Sequence, residues 1–463
     1  MTRLVVIGLD CAPPALVFDR LADVMPRLTA LRGQGTWGAL RSTVPPITVP
    51  AWTCMVSGRD PGELGLYGFR NRVPRSYDLA VPTSADVKVK RVWDLLGEAG
   101  KKVAALFVPL TWPPTPVRGA MASCFLTPTD EDQWTFPRGL KGELTARHGE
   151  YRMDVVDYRS DEPERILEEL YAMGEQHFAM ARDVWESRTP DFMMMVEMGP
   201  DRFHHAFYRH LDPAHPDHDP DHPLVAEGRR YYAFLDAKVG ELIDMAESAG
   251  DDTTVMVVSD HGARPLEGGV AINEVLRREG WLTLKSEPEG AGPLRPEMVD
   301  WSRTRAWGEG GYYARIFLNV AGREPEGIVS PGEEEEERAL AEVRELLLGI
   351  PAPDGSVMET RAVDPRREYR KTRGQPPDLM VFFGDLRFRS VGTVGIDGIY
   401  TRGDDIGPDA CNHDWDGIFV MAGGDQPARG EVTGLSIYDI TRTSLGLLGV
   451  QAPADLLGTD RSR

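Results

Sequence analysis

A chain of 463 residues is long enough for two or three domains, although large α/β folds of this length often form one unit. A hydrophobic content of 41% supports a sizeable core and argues against disorder. The formal net charge of −21 tells against a nucleic-acid polymer as partner, because a phosphate backbone needs a basic surface, but bound divalent cations would still allow a small phosphorylated substrate.

In chain order, the first predicted element is a strand, Leu4–Leu9, ending at Asp10. A single early arginine, Arg3, and the lack of a small-residue cleavage site make this a first core strand rather than a signal peptide. No apolar run approaches the roughly 20 residues that span a bilayer, so no membrane partner is expected. Further short, apolar strands of the buried parallel type are expected at Val103–Val108, Phe192–Val196, Thr254–Val258, Leu379–Phe383 and Gly417–Ala422. Amphipathic helices are expected over Pro163–Glu186 and Ala226–Ala249. This alternation predicts an α/β fold, doubly wound, with a mostly parallel central sheet and helices on both faces.

From about Ala263 to Gln375 the pattern changes to Gly/Pro punctuation, an isolated strand at Ala314–Val320 and a helix at Glu335–Leu348. The acidic run Glu333–Glu337 reads as that helix's first turn, complementing the helix dipole. Candidate ligands flank the region on both sides. Residues 263–375 are therefore read as an insertion covering the site, with 1–262 and 376–463 as the core. Four cysteines (Cys11, Cys54, Cys124, Cys411) are too few and too dispersed for a disulfide framework or zinc ribbon, and predict a reduced, cytoplasmic enzyme.

Seven residues have the types and order of a two-metal phosphoryl-transfer site: Asp10, Thr48, Asp201, His205, Asp260, His261 and His413. Asp10 and Asp260-His261 each end an apolar strand, and the carboxyl edge of a parallel sheet is where open α/β folds bind ligands. Two ionisable groups at a buried strand end need partners. Thr48 sits among Pro45, Pro46 and Pro50, which suit a rigid turn. Its hydroxyl is a weak nucleophile unless a cation or base lowers its pKa, and taken alone Thr48 reads more readily as a helix cap, a balance that the other candidate ligands reverse.

Asp201 and His205 are four residues apart, so one helical turn would place both on one cation, with His204 pointing elsewhere. His413 stands in a loop before Gly417–Ala422. The segment His210–His222 holds four histidines and four aspartates among prolines, and reads as a solvated loop rather than a third metal site.

Together these residues resemble the alkaline phosphatase superfamily, in its type I phosphodiesterase/nucleotide pyrophosphatase-like branch, and in particular its predicted phosphohydrolase/phosphomutase proteins. The likeness is carried by Val6-Ile7-Gly8-Leu9-Asp10, Thr48-Val49-Pro50-Ala51-Trp52-Thr53, Ser57-Gly58-Arg59-Asp60-Pro61-Gly62, Asp201-Arg202-Phe203-His204-His205, Tyr208-Arg209-His210-Leu211-Asp212-Pro213 and Val258-Ser259-Asp260-His261-Gly262. It continues through Gly322-Arg323-Glu324-Pro325-Glu326-Gly327 to Ser436-Ile437-Tyr438-Asp439-Ile440.

The resemblance implies one metal held by Asp10, Thr48, Asp260 and His261 and another by Asp201, His205 and His413, with zinc or manganese as the ions. It implies a covalent phospho-threonine on Thr48. Sulfatases of this superfamily use a cysteine where this chain has Thr48, and Cys54 is misplaced for that role. The chain departs from the nucleotide pyrophosphatase pattern in reading Thr48-Val49-Pro50-Ala51-Trp52 where that branch has Thr-Phe-Pro-Asn-His. The family's phosphoryl-binding asparagine falls near Phe69, leaving Asn71 or Arg70 as substrate contacts.

The expected activity is hydrolysis of a small phosphorylated substrate, with a diester or pyrophosphate favoured over a monoester. A phosphomutase, a phosphonate hydrolase and a catalytically idle metal-binding protein are the alternatives. Retention of Thr48 speaks against the last. Trp52, Tyr67, Phe69, Arg70, Tyr312 and Tyr313 are candidate lining residues, and the oligomeric state stays open.

Overall fold

The computed structural model describes residues 2–250, 252–332, 334–402 and 407–462. Two compact units divide the chain: 1–60, 82–263 and 413–463 form the first, and 61–81 with 264–412 the second. The insertion expected at 263–375 falls almost wholly inside the second unit, which also takes in 61–81 and 376–412.

The first unit is built on a sheet whose central strands are parallel. Val103–Leu106, Phe192–Glu197, Arg3–Leu9 and Thr253–Val258 lie side by side in that order, and Gly119–Ala122 continues the parallel run beyond Val103–Leu106. Apart from Arg3, Glu197, Thr253 and Thr254 their residues are apolar or glycine on both faces, and Leu4 to Ile7 are wholly buried, as expected for strands covered on both sides. The long helices Pro163–Arg188 and Pro223–Ser248 pack against this sheet, close to their expected bounds. No helix among the described residues is long and apolar enough to cross a membrane.

Two expected strands behave differently. Asp416–Gly423 joins the sheet antiparallel, between Thr253–Val258 and Thr36–Arg41, a strand that its short alternating pattern had hidden. Leu379–Phe382 belongs to the second unit, in a four-stranded antiparallel sheet ordered Ala306–Glu309, Ala314–Leu318, Leu379–Phe382, Arg361–Val363. Ala314–Leu318 is therefore not isolated. The helix Glu335–Leu348 packs on this sheet and buries it, and an apolar run buried on both faces reads the same in parallel and antiparallel settings. Of the acidic run, Glu333 lies outside the described residues; Glu335 to Glu337 do occupy the first helical turn.

Register is what positions the site. Leu9 pairs with Glu197 and Gly8 with Val258. The three strand ends that lead to candidate ligands therefore finish level, at the carboxyl edge. Gly8 is required there by a close approach: a Cβ would lie 2.5 Å from the Trp52 ring and 2.9 Å from Val196.

Candidate metal centre

All seven predicted residues lie in the first unit and all are buried, none more than 1% exposed. Asp10 follows the strand Arg3–Leu9, and Asp260-His261 follow Thr253–Val258 by two residues. Asp201 and His205 lie on the helix Gly199–Phe207, reached from Phe192–Glu197. His413 is on a strand, Cys411–Asp414, rather than in a loop. Thr48 is the first residue of the helix Thr48–Ser57. Ile47 is the N-cap, so Thr48 does not cap the helix. Its Oγ1 instead lies 3.2 Å from His261 Nε2.

Two sets of donor atoms each lie within 4.8 Å of one another, Asp10 with Asp260 and His261, and Asp201 with His261 and His413, and His205 adjoins the second through Asp201. His261 Nε2 lies 3.5 Å from Asp10 Oδ1, 3.3 Å from Asp260 Oδ2 and 3.2 Å from Thr48 Oγ1. Asp201 Oδ1 lies 3.4 Å from His205 Nε2 and 3.6 Å from His413 Nε2. The His261 and His413 rings stack at 3.7 Å, joining the sets. A tetrahedral cation with bonds of about 2.0–2.1 Å separates its ligands by about 3.3–3.4 Å, which matches these spacings.

Hydrogen-bond chemistry supports a cation independently. His261 Nδ1 lies 3.0 Å from the Gly262 carbonyl and His413 Nδ1 2.9 Å from that of Pro46. A carbonyl only accepts, so both rings carry hydrogen on Nδ1 and turn a bare Nε2 lone pair toward carboxylate oxygens. Those oxygens, Asp10 Oδ1, Asp201 Oδ1 and Asp260 Oδ2, have no hydrogen-bond donor among the described residues. Lone pairs facing lone pairs in a dry interior repel one another, and a divalent cation removes the repulsion.

The second oxygen of each carboxylate is engaged by the protein. Trp52 Nε1 donates to Asp10 Oδ2 at 2.6 Å, Arg202 Nη1 to Asp201 Oδ2 at 2.7 Å, and the Cys11 amide to Asp260 Oδ1 at 3.3 Å. Cys11 reaches that position through a left-handed backbone conformation, φ 63°, strained for a residue with a side chain. Ser259 ties the two strand ends together, accepting from the Ala12 amide at 2.8 Å and donating to the His261 carbonyl at 2.7 Å.

Titration behaviour follows from this crowding. Burial, then the charge of Asp201, raises the Asp10 carboxyl well above its usual range, and burial with Asp10 does the same to Asp260. Burial also opposes the charge of Asp201, but His205 and Arg202 outweigh it and hold its pKa well down. Burial lowers His261 to about 4 and pushes His413 well below the ordinary imidazole value. These histidines stay neutral at pH 7, as metal binding would require of them.

The remaining predicted residues serve other ends. Trp52 is wholly buried, with its indole nitrogen donating to Asp10. Asn71 and Arg70 belong to the second unit, where the Asn71 side chain accepts from the Tyr67 amide at 2.7 Å and so holds its own turn. Tyr313 is buried, its hydroxyl on the Tyr67 carbonyl and its ring stacked on Phe382. His204 points away from the cluster, as expected, to the Tyr232 hydroxyl at 2.7 Å. In the segment 210–222, His215 and His222 accept from nearby backbone amides, His218 contacts the Arg209 carbonyl, and the His210 and His222 rings stack at 4.2 Å. Sequence reasoning missed the anchoring role of Arg202, although it stands inside the Asp201–His205 motif.

The family model for type I phosphodiesterase/nucleotide pyrophosphatase matches residues 4–410. No curated protein matches the sequence. Among solved structures, human ectonucleotide pyrophosphatase/phosphodiesterase 5 is similar at 14% identity and a TM-score of 0.57, over 99% of this chain and 97% of that one. Phosphonoacetate hydrolase from Sinorhizobium meliloti, in complex with phosphonoformate, is similar at 15% identity and a TM-score of 0.62, over 96% and 95%. At such identities the structural likeness establishes a shared fold.

Proposed function

Since the chain belongs to the type I phosphodiesterase/nucleotide pyrophosphatase family of hydrolytic, metal-dependent enzymes in the alkaline phosphatase superfamily, we propose that it moves the phosphoryl group of a small phosphorylated substrate first to Thr48 and then to water. A diester or pyrophosphate bond is favoured over a monoester. The observation that carries this reading is the placement of Thr48 Oγ1 on His261 Nε2, inside the cluster of unpaired carboxylate oxygens.

Asp10, Thr48, Asp260 and His261 would hold one divalent ion, and Asp201, His205 and His413 a second. The mixed nitrogen and oxygen donors suit zinc, with manganese as the substitute. Such ions, when bound, acidify a hydroxyl or water and offset the charge on phosphoryl oxygens. Thr48 stands on the first turn of its helix, and the N-cap Ile47 contributes no side-chain acceptor to the first-turn amides. That helix end favours an anion. In the first step Thr48 gives up its hydroxyl proton, the Thr48 Oγ1–phosphorus bond forms as the bond from phosphorus to the leaving oxygen breaks, and the leaving oxygen takes up a proton. In the second, water attacks phosphorus, the Oγ1–phosphorus bond breaks, and the Thr48 hydroxyl is regenerated. All four cysteines are buried and no disulfide joins them among the described residues, which supports a reducing, cytoplasmic setting.

The deciding experiment is a panel of p-nitrophenyl monoester, diester and phosphonate substrates with the zinc- or manganese-loaded protein, reading p-nitrophenolate and phosphate. Diester turnover should lead. Thr48→Ala should lower it by roughly 10³-fold or more while the protein stays folded and binds metal. Full turnover by Thr48→Ala removes Thr48 as nucleophile. A sugar phosphate converted to its isomer without free phosphate would select the phosphomutase instead.

A further inference from the structure

One buried ionisable pair takes no part in the chemistry above. Glu197, 0% exposed, ends the strand Phe192–Glu197, and His177, 1% exposed, lies on the helix Pro163–Arg188. Glu197 Oε1 accepts from the Gly199 amide at 2.9 Å, and Oε2 lies 3.1 Å from His177 Nδ1. His177 Nε2 lies 2.7 Å from the Arg152 carbonyl. Burying such groups is costly unless their polar atoms find partners.

Each end of this chain of contacts leads to the Asp201 set. Gly199 opens the short helix that carries Asp201 and His205, and Met198, its N-cap, gives no side-chain cap. Glu197 supplies the missing acceptor from the preceding strand. Only glycine fits at 199, since a Cβ would lie 2.3 Å from the Tyr231 hydroxyl and 2.8 Å from Glu197 Oε1. At the other end, His177 and Gln176 grip the carbonyl and the amide of Arg152. Two residues further on, Asp154 takes Arg202 in a two-pronged ion pair at 2.6 and 2.7 Å. Arg202 in turn holds Asp201 Oδ2.

We propose that Glu197 and His177 are a positioning pair that sets the Asp201/His205 half of the metal centre, by fixing the start of the ligand-bearing helix and the loop that clamps Arg202. This rests on the reading that Asp201 and His205 hold a cation. The Arg152 carbonyl only accepts, so His177 Nε2 bears a hydrogen, and one further proton serves the Nδ1···Oε2 contact. A glutamine at 197 satisfies the same partners: its oxygen accepts from Gly199 and its amide donates to Nδ1.

The test is direct metal binding by metal-free wild type, Glu197→Ala, Glu197→Gln and His177→Ala, using zinc in equilibrium dialysis and cobalt absorption, with thermal unfolding in parallel. Wild type should take two ions. Glu197→Ala should keep one at wild-type affinity and bind the other about 10- to 100-fold more weakly, while Glu197→Gln stays near wild type. If Glu197→Ala does not fold, His177→Ala, which leaves the Gly199 bond in place, carries the test with the same one-ion loss. Wild-type affinity for both ions in a folded Glu197→Ala or His177→Ala variant overturns the inference. So does equal weakening of both ions with no rescue by glutamine. Wild type that binds no divalent cation overturns the functional reading itself.

Discussion

The indole Nε1 of Trp52 donates to Asp10 Oδ2 at 2.6 Å, and this bond decides which carboxylate oxygen faces His261. It works only because Gly8 leaves room for the ring. Trp52→Phe keeps the packing and removes the donor. Metal affinity at the Asp10 set should fall about 10- to 100-fold with little change in fold, as zinc titration with parallel circular dichroism would show. An unchanged affinity would mean that packing alone orients Asp10.

Asp10 and Asp260 carry raised pKa values in the absence of a cation. A raised folded-state value means stability present below the unfolded carboxyl pKa and lost as pH rises through the folded one. Metal-free protein is therefore destabilised near neutrality by these two groups. Asp260→Asn should raise the unfolding temperature of the metal-free protein at pH 7 while abolishing turnover. Metal uptake by wild type should release protons, and affinity should drop as pH falls, both measurable by calorimetry in buffers of different ionisation enthalpy.

Burial lowers His204 to about 3. The sign here is opposite: between about 6.5 and about 3 the unfolded chain binds a proton that the folded chain refuses, so stability falls with falling pH across that window. The slope from this one group is up to about 1.4 kcal/mol per pH unit. His204→Gln retains a partner for the Tyr232 hydroxyl and should flatten the acid limb of a urea-denaturation series by about one proton. An identical limb would assign the acid sensitivity elsewhere.

Arg202 is buried between the Phe125 and Tyr158 rings and pairs with both Asp154 and Asp201. Removing one member of a buried charge network leaves the others uncompensated, at about 3–5 kcal/mol. Arg202→Met should lose stability on that order in denaturant unfolding. Asp154→Asn should lose less, since Asp154 is partly exposed and its amide still accepts one hydrogen bond. Equal losses would show that the outer pair, rather than Asp201, carries the energy.

The candidate donor residues were legible in the sequence because strand ends are local. An apolar run that stops at Asp10 or shortly before Asp260-His261, and an Asp201–His205 spacing of four, are properties of neighbouring residues. The same signal, an apolar strand closed by a carboxylate, marks Glu197 just as plainly, yet nothing local shows that its partner is His177. Sheet direction was equally hidden, since Leu379–Phe382 and Asp416–Gly423 are buried on both faces whichever way their neighbours run.

By itself, then, the order of residues determined the α/β class, the helices and the chemical kind of the site, all of which depend on short-range pattern and on side-chain chemistry. Only the tertiary structure decided which oxygen of each carboxylate is turned outward, which histidine nitrogen carries the hydrogen, and that Thr48 meets His261 rather than capping its helix. The Trp52–Asp10, Thr48–His261 and His413–Pro46 contacts join residues 42 to 367 positions apart, while Arg202–Asp201 and His261–Gly262 join neighbours whose orientation the fold sets. Strand register and close packing set such contacts, and no local propensity contains them.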